Sequence, residues 1–465
     1  MAGLGRLANP LARDHNFRMP KELFGTDGIR GIPGEYPLDD QTLYWVGRSI
    51  GGYLRLANGN PRVLIGIDTR ESGTHIASEI AAGLAEEGIT HSFAGVITTP
   101  GVACLVRKEG FAAGVVISAS HNPYHDNGVK LFAGSGMKFP DEIEARIETE
   151  ILRHRNGQPP AQALRLTPDR QLDEDYLEFL RGCAIRGASL SGLRMVLDCA
   201  NGAASSLAPA LFRSLGADVI AIHDKPDGRN INANCGSLYP EALQKAVPES
   251  GAALGVAFDG DADRAMFVTA SGRVVDGDGV LLIAARYLRS KGKLKGGAVV
   301  GTTMTNLGLE RALAAEGLTL VRVPVGDRYV LEEMLRSGAN LGGEQSGHVI
   351  FLDDATTGDG LLTALKVSCL VALLGPLDQL VNDLKTYPQT ILNVKVRAKP
   401  PLESLPEVAR TLHDAERALG DSGRVVLRYS GTEPKARVMV EAEDAKDVQH
   451  WAERLASAVR SALGA

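Results

Sequence analysis

Three times along the chain an apolar, β-branched run ends in small polar residues and then gives way to a helical pattern. The segments are RVLIGIDTRESG from Arg62, RMVLDCANGAAS from Arg194 and GAVVGTTMTNLG from Gly297. A strand that is apolar on both faces needs cover on both, so strand, loop and helix units repeated in this way stack as α/β layers around mainly parallel sheets. Amphipathic stretches such as Ala77 to Glu87 and Leu207 to Leu215 supply the helices. The final stretch departs from the pattern. It reads as a strand from Thr390 to Val396, a helix from Glu407 to Leu419, strands from Arg424 to Tyr429 and Ala436 to Glu441, and a helix from Ala445 to Leu463. The predicted fold class is therefore α/β, with three similar domains of mixed, mainly parallel sheets and a C-terminal α+β domain. At 465 residues the chain exceeds one hydrophobic core, and about three domains are expected, with four admissible. The polar, Pro-containing segments 155–169 and 397–406 read as joints or edges of domains.

Composition narrows the function classes. A net charge of −6 and the lack of a Lys/Arg block argue against nucleic-acid and membrane-surface partners. An anionic ligand must therefore meet locally clustered cations. The 53 glycines exceed the usual share of about 7% and favour many tight loops. Five scattered cysteines without a CxxC pair read as reduced and packed. Residues 1–20 hold no apolar h-region, so neither a signal peptide nor a membrane anchor is expected. They read as a poorly ordered extension, and the cytoplasm is the expected compartment. Neither a Walker A sequence nor a GxGxxG fingerprint occurs, so nucleotide binding has no support.

Four polar loops carry chemistry-bearing residues. In VVISASHNPYHDNGVKLF, from Val115, an apolar strand runs into Ser118, Ser120 and His121. That places a hydroxyl at the carboxyl end of a strand, the edge where α/β folds bind ligands, and Ser120 is the candidate nucleophile. A Ser/Asn-rich turn would produce the same letters. In DGDADR, from Asp259, three carboxylates at alternate positions repel one another unless a cation or water intervenes. An EF-hand loop requires Gly at its sixth position and Glu at its twelfth, where this chain has Arg264 and Ala270. A three-carboxylate Mg²⁺ site that also binds a phosphate oxygen fits better. In GGEQSGH, from Gly342, Glu344 and Ser346 suit adjacent sugar hydroxyls, although a plain Gly-rich turn gives the same pattern. In RYSGTEPKAR, from Arg428, two arginines, two hydroxyls and Gly431 make a phosphate cradle, or else an ordinary hairpin connection. Near the N-terminus, Arg30 in FGTDGIRG could reach a phosphoryl group or serve a turn.

Taken together and in this order, FGTDGIRG, SASHNP followed by DNGVK, DGDADR, GEQSGH and RYSGTEPKAR resemble the phosphoglucosamine mutases of the α-D-phosphohexomutase superfamily. DCANGAA, PDGRNIN, CGS, VGDRYV and TTGDG are further landmarks, and the similarity runs from Phe24 over nearly the whole chain. The resemblance implies a four-domain, heart-shaped molecule with one motif from each domain facing a central cleft. The chain then divides into an extension over 1–20 and domains over 21–175, 176–277, 278–388 and 389–465. By the same resemblance Ser120 is the phosphorylated catalytic serine, and Asp259, Asp261 and Asp263 hold Mg²⁺ together with the phosphate on Ser120. Glu344 and Ser346 read the sugar hydroxyls. Arg428, Ser430, Gly431, Thr432 and Arg437 clamp the non-reacting phosphate, and Arg30 and Lys130 lie near the reacting one. The segment Val325, Gly326, Asp327, Arg328, Tyr329 stands where mannose and glucose mutases carry a ligand-contacting His. That departure and Gln345 agree with the amino-sugar branch.

The implied reaction interconverts glucosamine 6-phosphate and glucosamine 1-phosphate through a 1,6-bisphosphate, which also serves as the primer of Ser120. Its product lies upstream of UDP-N-acetylglucosamine and cell-wall synthesis. Lys130, its pKa lowered by cationic neighbours and burial, is the expected general base, with His121 the rival. Turning the intermediate around requires a hinged fourth domain. A homodimer through the first domain is also implied. The alternatives are a phosphomannomutase or phosphoglucomutase, a phosphoserine-dependent sugar phosphatase, and a non-catalytic sugar-phosphate sensor. A second phosphate clamp is superfluous for hydrolysis, and a sensor has no need to retain Ser120 with all three aspartates.

Overall fold

The strands of a computed structural model of the chain, which describes residues 22–25, 27–56, 60–154, 164–430 and 434–464, fall into four sheets. The extension over 1–20, the segment 155–163 of the first expected joint, and Gly431 and Thr432 lie outside the described residues. The first sheet has six strands, ordered in space Phe24–Gly25, Gly28–Gly31, Asn127–Ala133, Ala113–Ile117, Arg62–Ile67 and Thr90–Val96. The second runs Val274–Val275, Ala265–Thr269, Leu254–Phe258, Arg194–Asp198, Asp218–Ile222, and the third Thr319–Val323, Ala298–Thr302, Leu341–Gly343, Val349–Phe351. Each of these three sheets is mixed. Its three parallel strands are linked through helices, and antiparallel strands extend one edge. The fourth sheet, Gln389–Lys395, Lys435–Ala442, Gly423–Tyr429, is wholly antiparallel and packs with helices Pro406–Leu419 and Ala445–Leu463.

The expected elements form where the periodicity put them, shifted by a few residues: Ala77 to Glu87 becomes Gly73–Glu86, and Leu207 to Leu215 becomes Ala204–Ser214. Buried apolar residues explain why. The strands Ala113–Ile117 and Leu254–Phe258 are buried at every position, as expected of strands covered on both faces.

One apolar cluster, from Leu64 to Leu384, runs continuously through the first three domains, whereas the cluster from Val394 to Leu463 belongs to the fourth alone. The joint between third and fourth domains is polar. Arg424 donates to the carbonyls of Thr303 and Thr305 at 2.8 and 2.7 Å, and the buried Glu441 takes Arg424 Nε at 2.6 Å and the Leu307 N–H at 2.9 Å.

In the first domain, helices Asp40–Leu54 and Gly73–Glu86 cross backbone to backbone at Gly83, where an added Cβ would lie 2.1 Å from the Tyr44 carbonyl oxygen. Gly83→Ala should therefore lower the unfolding free energy by about 1–3 kcal/mol, because neither backbone can withdraw from a packed interface. An unchanged midpoint in urea would contradict this packing.

Candidate active site

Every one of the four loops connects a strand to the antiparallel strand that follows it. In the first domain, Ala113–Ile117 ends at Ser118 and the chain returns as Asn127–Ala133. Ser120 takes a left-handed φ of 50°, a costly conformation for a residue with a Cβ. It is held from several sides. Asp68, at the end of Arg62–Ile67, accepts the Ser118 hydroxyl at 2.6 Å and Arg70 Nε at 2.9 Å. The Arg70 guanidinium, buried with Asp68, donates to the carbonyls of Ser120, Asn122 and Pro123 at 3.0, 2.9 and 2.5 Å. From the second domain, Asn232 Nδ2 donates to the Ser120 carbonyl at 2.8 Å. Gly260 approaches so closely that a Cβ there would lie 2.5 Å from the same oxygen.

So held, Ser120 Oγ donates to Asp259 Oδ2 at 2.7 Å and lies 3.2 Å from His121 Nδ1. Asp259, Asp261 and Asp263 are all buried on the loop between Leu254–Phe258 and Ala265–Thr269, with one carboxylate oxygen of each within 4.8 Å of the others. Thr99 Oγ1 and Lys130 Nζ donate to Asp261 Oδ2 at 2.6 and 2.8 Å, while Asp261 Oδ1 and Asp263 Oδ1 are buried with no hydrogen-bond partner. Burial, joined by the Asp263 and Asp261 charges, pushes the Asp259 carboxyl far above its usual range. Burial works the same way on Asp263, but Lys130 and the His348 hydrogen bond outweigh it and hold that carboxyl far below. Three clustered carboxylates with two open acceptors fit a hard divalent cation of the Mg²⁺ type, which would relieve their repulsion.

The sugar-loop candidates follow Leu341–Gly343. Glu344 Oε1 accepts the Gly326 N–H at 3.1 Å, and Ser346 is exposed. The Gly347 carbonyl accepts the Ala265 N–H at 3.1 Å, which ties this loop to the carboxylate loop. On the fourth sheet Arg428 and Arg437 are register partners on adjacent strands. Burial, aided by the Arg437 charge, lowers the Arg428 pKa, as expected of two cations brought together for an anion. Ser430 is buried and its carbonyl accepts Lys399 Nζ at 2.7 Å. Arg30 lies on the strand beside Asn127–Ala133 and pairs with Asp27 at 2.7 Å.

One expectation is reversed. Burial and the Arg30 charge act to lower the Lys130 pKa as expected, but the Asp261, Asp27 and Asp263 charges outweigh them and raise it well above its usual value. Beside these carboxylates the ammonium form of Lys130 is favoured. His121 behaves oppositely, since burial and the Arg264 and Arg30 charges lower its pKa and keep the imidazole neutral near pH 7.

Sequence reasoning missed Asp27, Thr99, Arg264 and His348. His348 is buried between Asp263 and Asp327, with Nδ1 3.7 Å from Asp263 Oδ2, and Nε2 accepts the Gly358 N–H at 3.0 Å. Asp27, Arg264 and His348 lay inside quoted motifs, so their positions were visible and their partners were not. Thr99 carried no signal, since it lies on the helix Thr99–Lys108 in no motif.

A serine hydroxyl hydrogen-bonded into a carboxylate cluster, with Lys130 on Asp261 and the Arg264 and Arg30 charges acting on the adjacent His121, is equipped for phosphoryl transfer, in which positioning and charge compensation do most of the work. Residues 21–158, 174–272, 276–387 and 391–458 match, in turn, domains I, II and III and the C-terminal domain described for phosphoglucomutase/phosphomannomutase. The chain belongs to the phosphoglucomutase/phosphomannomutase family. It is 55% identical over 447 residues to a protein of Solibacter usitatus named phosphoglucosamine mutase, covering 96% of this chain and 100% of that one. A relative of the same name from Koribacter versatilis is 51% identical, over 96% and 98% of the two chains. Among solved structures, a phosphoglucomutase/phosphomannomutase family protein of Burkholderia thailandensis shares the fold with a TM-score of 0.76 at 24% identity, over 94% of this chain and 97% of that one.

If the open oxygen of Asp263 faces the cation, Asp263→Asn should weaken Mg²⁺ binding at least about tenfold, because one ligand charge is lost. Calorimetric titration of both proteins with MgCl₂ checks this, and equal affinities would contradict the assignment.

Proposed function

We propose that the chain is a phosphoglucosamine mutase that interconverts glucosamine 6-phosphate and glucosamine 1-phosphate through a phosphorylated Ser120 and a sugar 1,6-bisphosphate. The observation that carries this reading is the Ser120 hydroxyl, held in a left-handed turn and donating to Asp259 at 2.7 Å beside two further buried aspartates. Its substrate follows the names of the relatives at 55% and 51% identity, and Val325 to Tyr329 and Gln345 agree with that branch.

The phosphoryl group on Ser120 passes to the free hydroxyl of the sugar phosphate. The bond from phosphorus to Ser120 Oγ breaks, the bond to the sugar oxygen forms, and the hydroxyl proton moves to a base. The neutral His121 imidazole, 3.2 Å from Ser120 Oγ, is the relay we infer: it takes that proton and delivers it to the departing Ser120 oxygen. Arg30 and Lys130 compensate charge on the transferring group. The bisphosphate then turns, and its second phosphate returns to Ser120 while Arg428, Ser430, Thr432 and Arg437 hold the other. Asp259, Asp261 and Asp263 would hold Mg²⁺, which would further neutralise the phosphoryl oxygens when bound. A solved N-acetylphosphoglucosamine mutase of Aspergillus fumigatus, 18% identical with a TM-score of 0.60, holds GlcNAc-6P and magnesium, in keeping with this ligand class.

Among the described residues no helix is long and apolar enough to cross a membrane. A cytoplasmic enzyme, acting as a homodimer on a precursor of UDP-N-acetylglucosamine, is the setting we infer.

The test is ³¹P NMR of the purified protein with Mg²⁺ and a bisphosphate primer, offering glucosamine 6-phosphate, glucose 6-phosphate and mannose 6-phosphate separately. Fastest conversion of the glucosamine substrate is the expected result. Release of inorganic phosphate, or preference for mannose or glucose, would move the assignment to a hydrolase or a sister mutase. Ser120→Ala should lose at least about 10³-fold of turnover while retaining its fold by circular dichroism, and a variant with most of its activity would remove the central role of Ser120.

A further inference from the structure

A chain of alternating charges runs from the carboxylate loop across the domain boundaries to Asp327. Lys130 Nζ stands 3.2 Å from Asp27 Oδ2 and 3.7 Å from Asp263 Oδ2. Asp27 Oδ1 takes Lys138 Nζ at 2.6 Å, and the same ammonium donates to Asp327 Oδ2 at 2.7 Å. His348 lies on the far side, its Nδ1 3.7 Å from Asp263 and its Nε2, which accepts the Gly358 N–H, 3.9 Å from Asp327. The phosphoryl-transfer reading uses Lys130 and Asp263 but gives no task to Lys138 or Asp327.

Lys138 is rigidly part of the catalytic hairpin. It bridges Phe132, while the Ala133 N–H donates to Met137 O at 2.8 Å and the Phe139 N–H to Leu131 O at 3.1 Å. This ties it to the strand Asn127–Ala133, which carries Lys130. Its partner Asp327 opens the helix Asp327–Ser337, whose N-cap is Gly326 and offers no capping side chain. Gly326 in turn donates its N–H to Glu344, the sugar-hydroxyl candidate. A second ion pair, Arg328 with Asp141 at 2.6 Å, ties the same helix start to the first domain. Lys138 and Asp327 are 22% and 21% exposed, so solvent screens their attraction less than it would a surface pair. Burial disfavours the Asp327 charge, and the Lys138 charge outweighs it to keep that carboxyl below its usual range.

We propose that Lys138 is a positioning and specificity-determining residue: its ammonium, shared between Asp27 of the first domain and Asp327 of the third, sets the separation of the Ser120 hairpin from the Gly326–Glu344 sugar loop. Without that ammonium, or without the Asp327 charge it meets, the bridge between the first and third domains is lost. Gly326 withdraws with its N–H bond to Glu344, and Asp27 draws Lys130 away from Asp261 and Asp263. The sugar is then held more weakly and discriminated less, because selection between sugars depends on the placement of hydrogen-bonding groups around them.

The inference takes its substrate from the proposed function, so the experiment has one arm that is independent of it. Hydrogen exchange of residues 325–329 is followed in the unliganded full chain for the parent, Lys138→Met, Lys138→Arg and Asp327→Asn. Exchange at least fivefold faster in the Met and Asn variants, restored toward the parent in the Arg variant, is expected. In parallel, KM and kcat are measured with glucosamine 6-phosphate and glucose 6-phosphate. Lys138→Met should raise KM for the first at least tenfold and shrink the glucosamine preference at least fivefold, Asp327→Asn should do the same, and combining them should add little. Lys138→Arg should recover most of the preference. Parental exchange and parental sugar preference in Asp327→Asn would overturn the proposal even if Lys138→Met failed to fold. A parent inactive on glucosamine 6-phosphate would defeat the proposed function alone, leaving the exchange arm to decide the clasp.

Discussion

Three carboxylates forced together out of water set the terms for everything around them. Asp259, Asp261 and Asp263 lie within a few ångströms of one another and are all buried, so each would shed its charge unless compensated. The compensation comes from other domains. Lys130, Thr99 and the Ser120 hydroxyl belong to the first domain, and His348 to the third. A single α/β domain has one loop edge to offer such a cluster, whereas packed neighbours surround it. The continuous apolar core through the first three domains is what makes those positions permanent.

The repeated strand, loop and helix pattern was legible because buried parallel strands leave unbroken apolar runs and their helices leave a period near four. Yet the repeated loops are not the ones that carry the reacting groups. Asp68 and Arg70, on the first repeated loop, hold the carbonyls of the Ser120 turn, and Asp198, on the second, accepts the N–H groups of Ala200 and Gly236. The candidate active loops instead join a core strand to its antiparallel return strand. A return strand such as Val349–Phe351, only three residues long, has too little periodicity to announce itself. The Ser120 loop is therefore a hairpin connection braced from beneath by a strand-to-helix loop.

The candidate site divides along the same line. Residue identities were legible wherever a motif was short and local, as with Ser120 and the three aspartates. Charge states were not, because they depend on partners far apart in sequence. Lys130 shows the difference. Its neighbours in sequence, Asn127, Gly128 and Val129, gave no hint of Asp261, 131 positions away, and cations were assumed where carboxylates stand. His348 is the converse case, visible in its motif yet without meaning until Asp263 and Asp327 are seen beside it.

The fourth domain follows a different physical rule from the other three. Its apolar cluster closes on itself between Val394 and Leu463, and Glu441, Arg424 and the carbonyls of Thr303 and Thr305 join it to the third domain. Separating an apolar interface exposes surface to water at roughly 25 cal/mol per Å², while hydrogen-bonded groups exchange their partners for water at a small net cost. A joint built from such groups can turn without disturbing either core. Arg428 and Arg437 ride on the domain behind this polar joint, while Ser120 and the aspartates sit on the part that shares one apolar core. A mutase that must release, turn and recapture a bisphosphate needs that asymmetry, since the reacting centre has to stay preorganised while the remote clamp lets go.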